Sequence, residues 1–381
     1  VKGARTKKVI LNKSGFFVSR KKGCIVVSDI RTKKEVAKYP ILEKELGEVQ
    51  VISGNLISTG ALTSLAFNRI PVIVKTALGS PVGIFNSIDD YSHVETRLAQ
   101  YGCYTKAQSL TIPKEIVLAK IKGQNQVLAH FGLRKIDFTN IQRVKDSYDE
   151  AIAKFNNENK HLVDHKFKSQ LRYYEGSASM HYFREIFNLF PESFRPEKRK
   201  GFKAYDGLNN TFNLAYRILS NKVMVALFKA RLEPYLGFYH TIKYGQPSLV
   251  CDFMDLYRYL IDHFLIMYCR KLDESDFVWK DDIHAGRKGK RAFLNKQRNK
   301  EFLDRLEDYF QTMVNVPRVK HGKRQELESV INEEAMLFAN FIRGKRLWEP
   351  RTVPLLKINL PQILRTERKT KKIFEPFFPS I

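Results

Sequence analysis

At 381 residues, with 43% hydrophobic and 12% aromatic content, the chain is long enough to bury a core and too apolar for a disordered basic tail. Its 66 Lys+Arg against 40 Asp+Glu leave a formal charge of +26, which favours a polyanionic partner such as nucleic acid, with acidic lipid or plain solubility as the blander readings. No apolar run approaches the roughly 20 residues of a membrane span, and the basic start VKGARTKKVIL has no signal-peptide apolar region. Cys24, Cys103, Cys251 and Cys269 form no CxxC pair, so zinc knuckles and disulfide scaffolds are disfavoured and a reducing, cytoplasmic compartment is expected.

From Val9 to about Ile88 the chain runs in short Val-, Ile- and Phe-rich stretches punctuated by Gly, Asn and Pro: VILN, GFFVSR, CIVVSDI, VQVIS, NLIS, PVIVK and PVGIF. Each has the length and composition of a strand. The insert STGALTSLAFN reads as one short helix capped by Ser58 or Thr59. Residues 1–88 are therefore expected to form a mostly-β domain, a sandwich, with NSIDDYS (Asn86–Ser92) as linker. From there the apolar period changes to 3.6, as in HVETRLAQYGCYTKAQ, IPKEIVLAKIKGQNQVLAHFG and FTNIQRVKDSYDEAIAKFNN, which read as helices of about 12 to 22 residues. The expected fold class is α+β, with residues 89–381 as an all-α domain that holds the chemistry.

Three stretches of that half carry candidate ligands, two of them acids in apolar surroundings and one a histidine. Glu175, in RYYEGSASMHYF, shares a helix face with Ala178, Ser179, Tyr182, Phe183, Ile186 and Phe190, so its carboxylate needs a cation, a hydrogen-bond network or a raised pKa, with a structural glutamate paired to arginine as the blander reading. Asp252 and Asp255, in SLVCDFMDLYR, stand at i,i+3 on a helix expected from Leu249 to Arg270; their repulsion is relieved by a bound divalent ion or by exposure in a solvated first turn. His240 closes GFYHT, twelve residues before Asp252. Three carboxylates and an imidazole form a ligand set for Mg²⁺ or Mn²⁺ with open positions, suited to phosphodiester chemistry on nucleic acid. His240 ligates only when neutral, so activity is expected to fall as pH drops through its titration. His263, near the core stripe of its helix, is expected to be a satisfied interior residue.

A polar row on DGLNNTFNLAYRILS (Asn209, Asn213 and Tyr216, with Ser220) reads either as a shell supporting metal ligands or as helix-to-helix hydrogen bonding. Two basic runs are candidate DNA tracks or solvated faces. RPEKRKGFK offers Arg195, Lys198, Arg199, Lys200 and Lys203; the seven-cation stretch GRKGKRAFLNKQRNK offers Arg287, Lys288, Lys290 and Arg291. The C-terminal tail RTERKTKKIFEPFFPSI ends in an aromatic cluster that reads as a partner-docking or self-packing segment.

The sequence resembles the CRISPR-associated integrase and endonuclease family that acquires new spacers. The resemblance rests on EGSASMHYF from Glu175, EPYLGFYH from Glu233 to His240, PSLVCDFMDLYR from Pro247 and DGLNNTFNLAYRIL from Asp206. It extends to Gly54–Leu62 and to the pair Arg97 and Gln100. Departures from the family pattern are mild: Glu233 replaces the usual Asp, Gly207 the usual Pro, and Asp255 stands where many members carry Glu. The resemblance implies that Glu175, His240 and Asp255 ligate the metal directly, with Asp252 as a further ligand or supporting acid. It also implies a dimerising N-terminal β-domain, a homodimer assembled with a small ferredoxin-like CRISPR-associated partner, a prokaryotic cytoplasm, and insertion of short DNA duplexes into a repeat array. The competing expectations are a non-catalytic basic DNA-binding scaffold and a generic nuclease for branched DNA in repair.

Overall fold

The computed structural model of the protein describes residues 7–355, apart from 42–45, 78, 88–91, 157, 202–203, 285–286, 320–321 and 323. Lys203, part of the linker and the C-terminal tail lie outside the described residues. The described residues fall into two compact units that interleave along the chain: one takes those up to Cys103 with Asn221–Pro234 and Ala335–Leu347, the other takes Tyr104–Ser220, Tyr235–Glu334 and those from Trp348 onward.

The first unit contains β1 (Lys7–Leu11), β2 (Phe16–Lys21), β3 (Cys24–Asp29), β4 (Glu35–Pro40), β5 (Leu46–Ile52), β6 (Leu56–Ile57), α1 (Thr59–Phe67), β7 (Val72–Lys75), β8 (Pro81–Phe85) and α2 (Ser92–Cys103). They make two four-stranded sheets, ordered β1-β5-β7-β8 and β4-β3-β2-β6. Val9, Val49, Val51 and Val72 of the first sheet share one apolar cluster with Val18, Ile25 and Val27 of the second and with Ala61 and Leu65 of α1. That shared core is why the unit is a two-sheet structure, as its strand patterns predict. Ser58 caps α1 as expected, its Oγ accepting from Ala61 N at 3.2 Å. The strand that pattern reading passes over is β4. As the edge of its sheet it is half exposed, so EVAKYP shows none of the apolar enrichment used to find the others.

The second unit is built on α3 (Gln108–His130), α4 (Phe138–Lys154), α5 (Lys160–Phe187), α7 (Ser248–Asp255), α8 (Arg258–Cys269) and α9 (Lys296–Phe310); α6 (Gly207–Lys229) and α10 (Leu327–Ile342) each contribute to both units. Two of its features differ from the sequence reading. The helix expected from Leu249 to Arg270 breaks in two, because α7 ends in tight i−3 bonds from Leu256 N to Phe253 O and from Tyr257 N to Met254 O. The half expected to be all helical also contains strands, the two-residue pair β11 (Met313–Val314) and β12 (Gln325–Glu326) and the hairpin β9 (Phe277–His284) and β10 (Arg287–Leu294). The hairpin is held in register by eight residue pairs, from Phe277 with Leu294 to His284 with Arg287. Its basic composition hides the alternation that would have marked it, and backbone pairing of Ala292 N to Tyr205 O at 2.8 Å ties it down.

α3 and α8 pack closely at Gly123, where an added Cβ would lie 2.4 Å from the Tyr259 ring. His263 on α8 is 1% exposed, yet among the described residues neither ring nitrogen has a hydrogen-bond partner, so it is interior but not satisfied there. It lies edge-to-face against His130 with ring centroids 4.5 Å apart. Burial, aided by His130, pulls its imidazole down to about 3. With the folded value below the unfolded one, the unfolded chain binds the extra proton, so stability is lost as pH falls below about 6.5, by up to about 1.4 kcal/mol per unit. His263→Leu should therefore flatten the acid limb of urea-denaturation stability measured from pH 7 to pH 4 and raise the melting temperature at pH 5; an unchanged acid limb would show that another group sets it.

Candidate active site

The candidate site lies within the helical unit and is assembled from α3, α5, α7 and the loop 235–240. Gly237 lets that loop approach the start of α7: its N–H donates to Ser248 Oγ at 2.8 Å, and Ser248 Oγ donates to Tyr235 O at 2.6 Å. A Cβ on Gly237 would sit 2.5 Å from the Ser248 carbonyl carbon, a backbone atom with no freedom to yield. One turn further along α7, Asp252 is fully buried. Its Oδ2 accepts the backbone N–H groups of Phe238 at 2.6 Å and Tyr239 at 3.1 Å. Its Oδ1 accepts His240 N and His240 Nδ1, both at 2.8 Å.

This bonding bears on the two readings open to Asp252. All the lone-pair directions of its carboxylate are taken within the loop, and one of those bonds fixes the orientation of the His240 ring. An ionised carboxylate only accepts, so His240 Nδ1 carries a proton and the neutral ring presents its lone pair at Nε2. Nε2 lies 4.0 Å from Asp255 Oδ2. Burial opposes a charge on this imidazole, but the Asp252 bond and the Asp255 and Asp252 charges outweigh it and raise its pKa above the ordinary value.

Asp255 ends α7, where the helix dipole disfavours an anion, and is 1% exposed. Burial alone would raise its pKa; Arg258, Lys120 and His240 overcome that and hold it at about 2. Arg258 Nε stands 3.1 Å from Asp255 Oδ1 without hydrogen-bond alignment, so the pair is purely electrostatic. Lys120 Nζ lies 3.1 Å from Asp255 Oδ2 and 2.7 Å from Glu175 Oε1. Glu175, one face of α5 as the periodicity requires, also accepts from Ser179 Oγ at 2.7 Å, and Ser179 in turn accepts from Gln124 Nε2 at 3.2 Å. Lys120 and Gln124 are i,i+4 on α3, so one helix face supports the acids from below. Sequence reading found the helix that carries both and singled out neither.

The other singled-out residues are placed as follows. Asn209 Oδ1 accepts from Arg199 Nη1 at 3.1 Å and Asn213 Oδ1 from Arg199 Nη2 at 2.6 Å, so these asparagines grip the basic loop. Tyr216 donates to the buried Asp262, as does Tyr182 at 2.9 Å, and the guanidinium of Arg258 lies 5.2 Å from the Tyr216 ring centre. Of the row, Tyr216 alone is thereby linked toward Asp255. Arg195 donates to Phe190 O at 2.8 Å, and Arg291 to Asn210 Oδ1 at 2.7 Å and Ala204 O at 3.0 Å, so both are committed to internal bonds. Lys198, Lys200 and Lys290 are exposed, and Arg287 and Lys288 lie on β10. Arg97 and Gln100 brace the first residue of the EPYLGFYH segment: Glu233 N donates to Gln100 Oε1 at 2.8 Å, and Gln100 Nε2 to Glu233 O at 3.1 Å.

Among the described residues no three His, Cys, Asp or Glu side chains stand as a ready-made metal cage. The donor set nevertheless suits a hard divalent cation. Two carboxylate oxygens lie within 3.1 Å of one ammonium nitrogen, and an imidazole nitrogen faces one of them. The Lys120 ammonium is the cation that neutralises those oxygens here.

Among the described residues no helix is long and apolar enough to cross a membrane. The family model of the CRISPR associated protein Cas1 matches residues 9–308, and the chain belongs to that family. A CRISPR-associated endonuclease Cas1 of Archaeoglobus fulgidus is 26% identical over 357 residues, which cover 90% of this chain and 98% of that protein. Two solved structures share the fold. A partial Cas6-RT-Cas1–Cas2 complex matches with a TM-score of 0.65 at 20% identity, over 93% of this chain and 100% of that one. A casposase bound to integration product matches with a TM-score of 0.63 at 16% identity, over 90% and 96%. Family membership implies dependence on a divalent metal.

Removing the Asp252 carboxylate orphans three backbone N–H groups and the imidazole at once. Asp252→Ala should lower unfolding free energy by about 3–5 kcal/mol, and Gly237→Ala by about 1–3 kcal/mol through backbone overlap. Urea denaturation of both variants checks this; near-wild-type stability of Asp252→Ala would mean that the loop is held by something else.

Proposed function

We propose that this protein is a metal-dependent DNA endonuclease and integrase that inserts short foreign DNA duplexes into a CRISPR array. The observation that carries the reading is the convergence of Glu175 Oε1 and Asp255 Oδ2 on one cationic nitrogen, with His240 Nε2 facing the same Asp255 oxygen. In support, the relatives include endonucleases of this name, and structural neighbours were solved in a Cas1–Cas2 complex and with an integration product. The partners we infer are DNA, a second copy of the chain paired through the β-rich residues 1–88, and a small ferredoxin-like CRISPR-associated protein; residues 89–381 would be the catalytic domain.

Glu175, Asp255 and His240 would hold a Mg²⁺ or Mn²⁺ ion. When bound, such an ion supplies charge stabilisation at a phosphate and a lower pKa for the attacking oxygen. The chain's own residues do the rest. Ser179 fixes the orientation of Glu175, Asp252 fixes the tautomer and aim of His240, and Arg258 keeps Asp255 ionised. In the joining step the 3′-hydroxyl of the incoming duplex attacks phosphorus, a new P–O bond forms, and the existing P–O3′ bond breaks. The released 3′-oxygen takes up a proton as the attacking hydroxyl gives one up. One phosphodiester replaces another, so the site has to position and neutralise charge and needs no energy source. The exposed Lys198, Lys200 and Lys290 are the cations we assign to the DNA backbone, each expected to lower the salt dependence of binding by about one unit when removed.

The test is a nicking and joining assay with a repeat-containing plasmid, a short duplex with free 3′-hydroxyls, and Mg²⁺ or Mn²⁺. Wild-type protein should join. Glu175→Ala, His240→Ala and Asp255→Ala should each lose at least about 100-fold of joining and cleavage while DNA affinity stays within a few-fold. Cleavage without joining would indicate a repair nuclease, neither would indicate a scaffold, and full strand transfer by any of the three variants would sink the site assignment.

A further inference from the structure

Three acids meet at the site, and the chain answers them with groups of its own, which differ in how firmly they are held. Asp252 is saturated by the 238–240 backbone and His240. Arg258 pairs with Asp255 from three residues away, its guanidinium against the Tyr216 ring. Lys120 instead places a single ammonium at the end of a flexible four-carbon stem. The oxygens it holds, Glu175 Oε1 at 2.7 Å and Asp255 Oδ2 at 3.1 Å, are the two that a divalent ion would need. An ammonium and a divalent cation cannot share those oxygens without strong repulsion at such range. Beside these oxygens Lys120 also lines a small cavity with Gln124, Tyr216, Arg258 and Asp262, toward which its stem can turn.

We propose that Lys120 is an exchangeable counter-ion: it holds Glu175 and Asp255 in register while no metal is present, and a divalent cation binds by displacing its ammonium into the adjoining cavity. Lys120 is thus a positioning residue, acting through Glu175 and Asp255. The proposal rests on the reading of Glu175, Asp255 and His240 as metal ligands, and the experiment separates the two. Without such a partner Glu175 and Asp255 would carry uncompensated, largely buried charge.

Calorimetric titration of the full chain with Mn²⁺ alone, and its melting temperature with and without Mn²⁺, would be measured for wild type, Lys120→Met, Lys120→Arg and Glu175→Ala. The expected result is that Lys120→Met melts lower than wild type when metal-free, binds Mn²⁺ about tenfold more tightly, and gains more melting temperature from saturating Mn²⁺. Lys120→Arg should recover the metal-free melting temperature and bind Mn²⁺ no more tightly than wild type. Glu175→Ala should lose Mn²⁺ binding. If Glu175→Ala loses binding but Lys120→Met binds Mn²⁺ only as well as wild type, or less well, the counter-ion proposal fails and the metal assignment stands. If Glu175→Ala binds Mn²⁺ like wild type, both fail. Should Lys120→Met not fold, reductive methylation of Lys120 in the wild-type protein, followed by mass spectrometry, decides the point: saturating Mg²⁺ should accelerate it several-fold, and an unchanged or slower rate overturns the proposal.

Discussion

The carboxylate of Asp252 is the interaction on which the site's geometry depends. A fully buried anion is costly, and this one is tolerated because it accepts three consecutive backbone N–H groups and an imidazole N–H. The consequence is structural before it is chemical. A six-residue loop with no secondary structure of its own is fixed to the side of α7, and His240 has one ring nitrogen occupied and one available. Gly237 and Ser248 secure the other end of the same loop, so its backbone is held at both ends.

Once the loop is fixed, the remaining problem is charge. Asp255 sits at the C-terminal end of α7, where peptide dipoles and burial both oppose ionisation, yet it is held ionised by Arg258, Lys120 and His240. Its neighbour in the fold, Asp262, shows the opposite outcome. Burial raises its carboxyl to about 6 despite bonds from Tyr216 and Tyr182 and the nearby charges of Arg199 and Arg258. Two aspartates seven residues apart thus differ because one has cations in direct contact and the other has hydroxyls. Phosphoryl-transfer sites need acids of the first kind as metal ligands, and acids of the second kind suit a role as neutral hydrogen-bonding partners.

Much of this was legible in the sequence, and the parts that were not share a physical reason. Strands with a buried face, the capped helix α1 and the inward face of Glu175 are all readable because periodicity records burial. The edge strand β4 and the basic hairpin β9–β10 are set by backbone pairing, which leaves little trace in apolar patterning. The partners of the acids were equally hidden. Lys120 is 55 residues from Glu175 and 135 from Asp255, and nothing local distinguishes it from the solvated lysines around it. The asparagine row on α6 was visible as a polar face, but its partner is the guanidinium of Arg199, which composition had placed on a DNA track. His263 shows the reverse failure, since its burial was legible and its lack of partners was not.

The division between structural and surface cations bears on how a protein this basic handles DNA. Counting charge in a sequence run overstates what a polyanion meets. In the first run Arg195 and Arg199 are turned inward and Lys198 and Lys200 are exposed; in the second Arg291 is anchored and Lys290 is exposed. In these two runs the planar guanidinium groups, which satisfy several acceptors at once, build the scaffold, while the ammonium groups of Lys198, Lys200 and Lys290 are left to solvent. Ammonium–phosphate contacts read charge rather than base identity, so such a surface gives affinity and salt dependence without sequence preference. On the proposed function, the acid–imidazole site, whose carboxylates are paired with Lys120 and Arg258, would add little net attraction for DNA. Affinity and chemistry would then be lodged in different side chains, an arrangement that lets each be altered without the other.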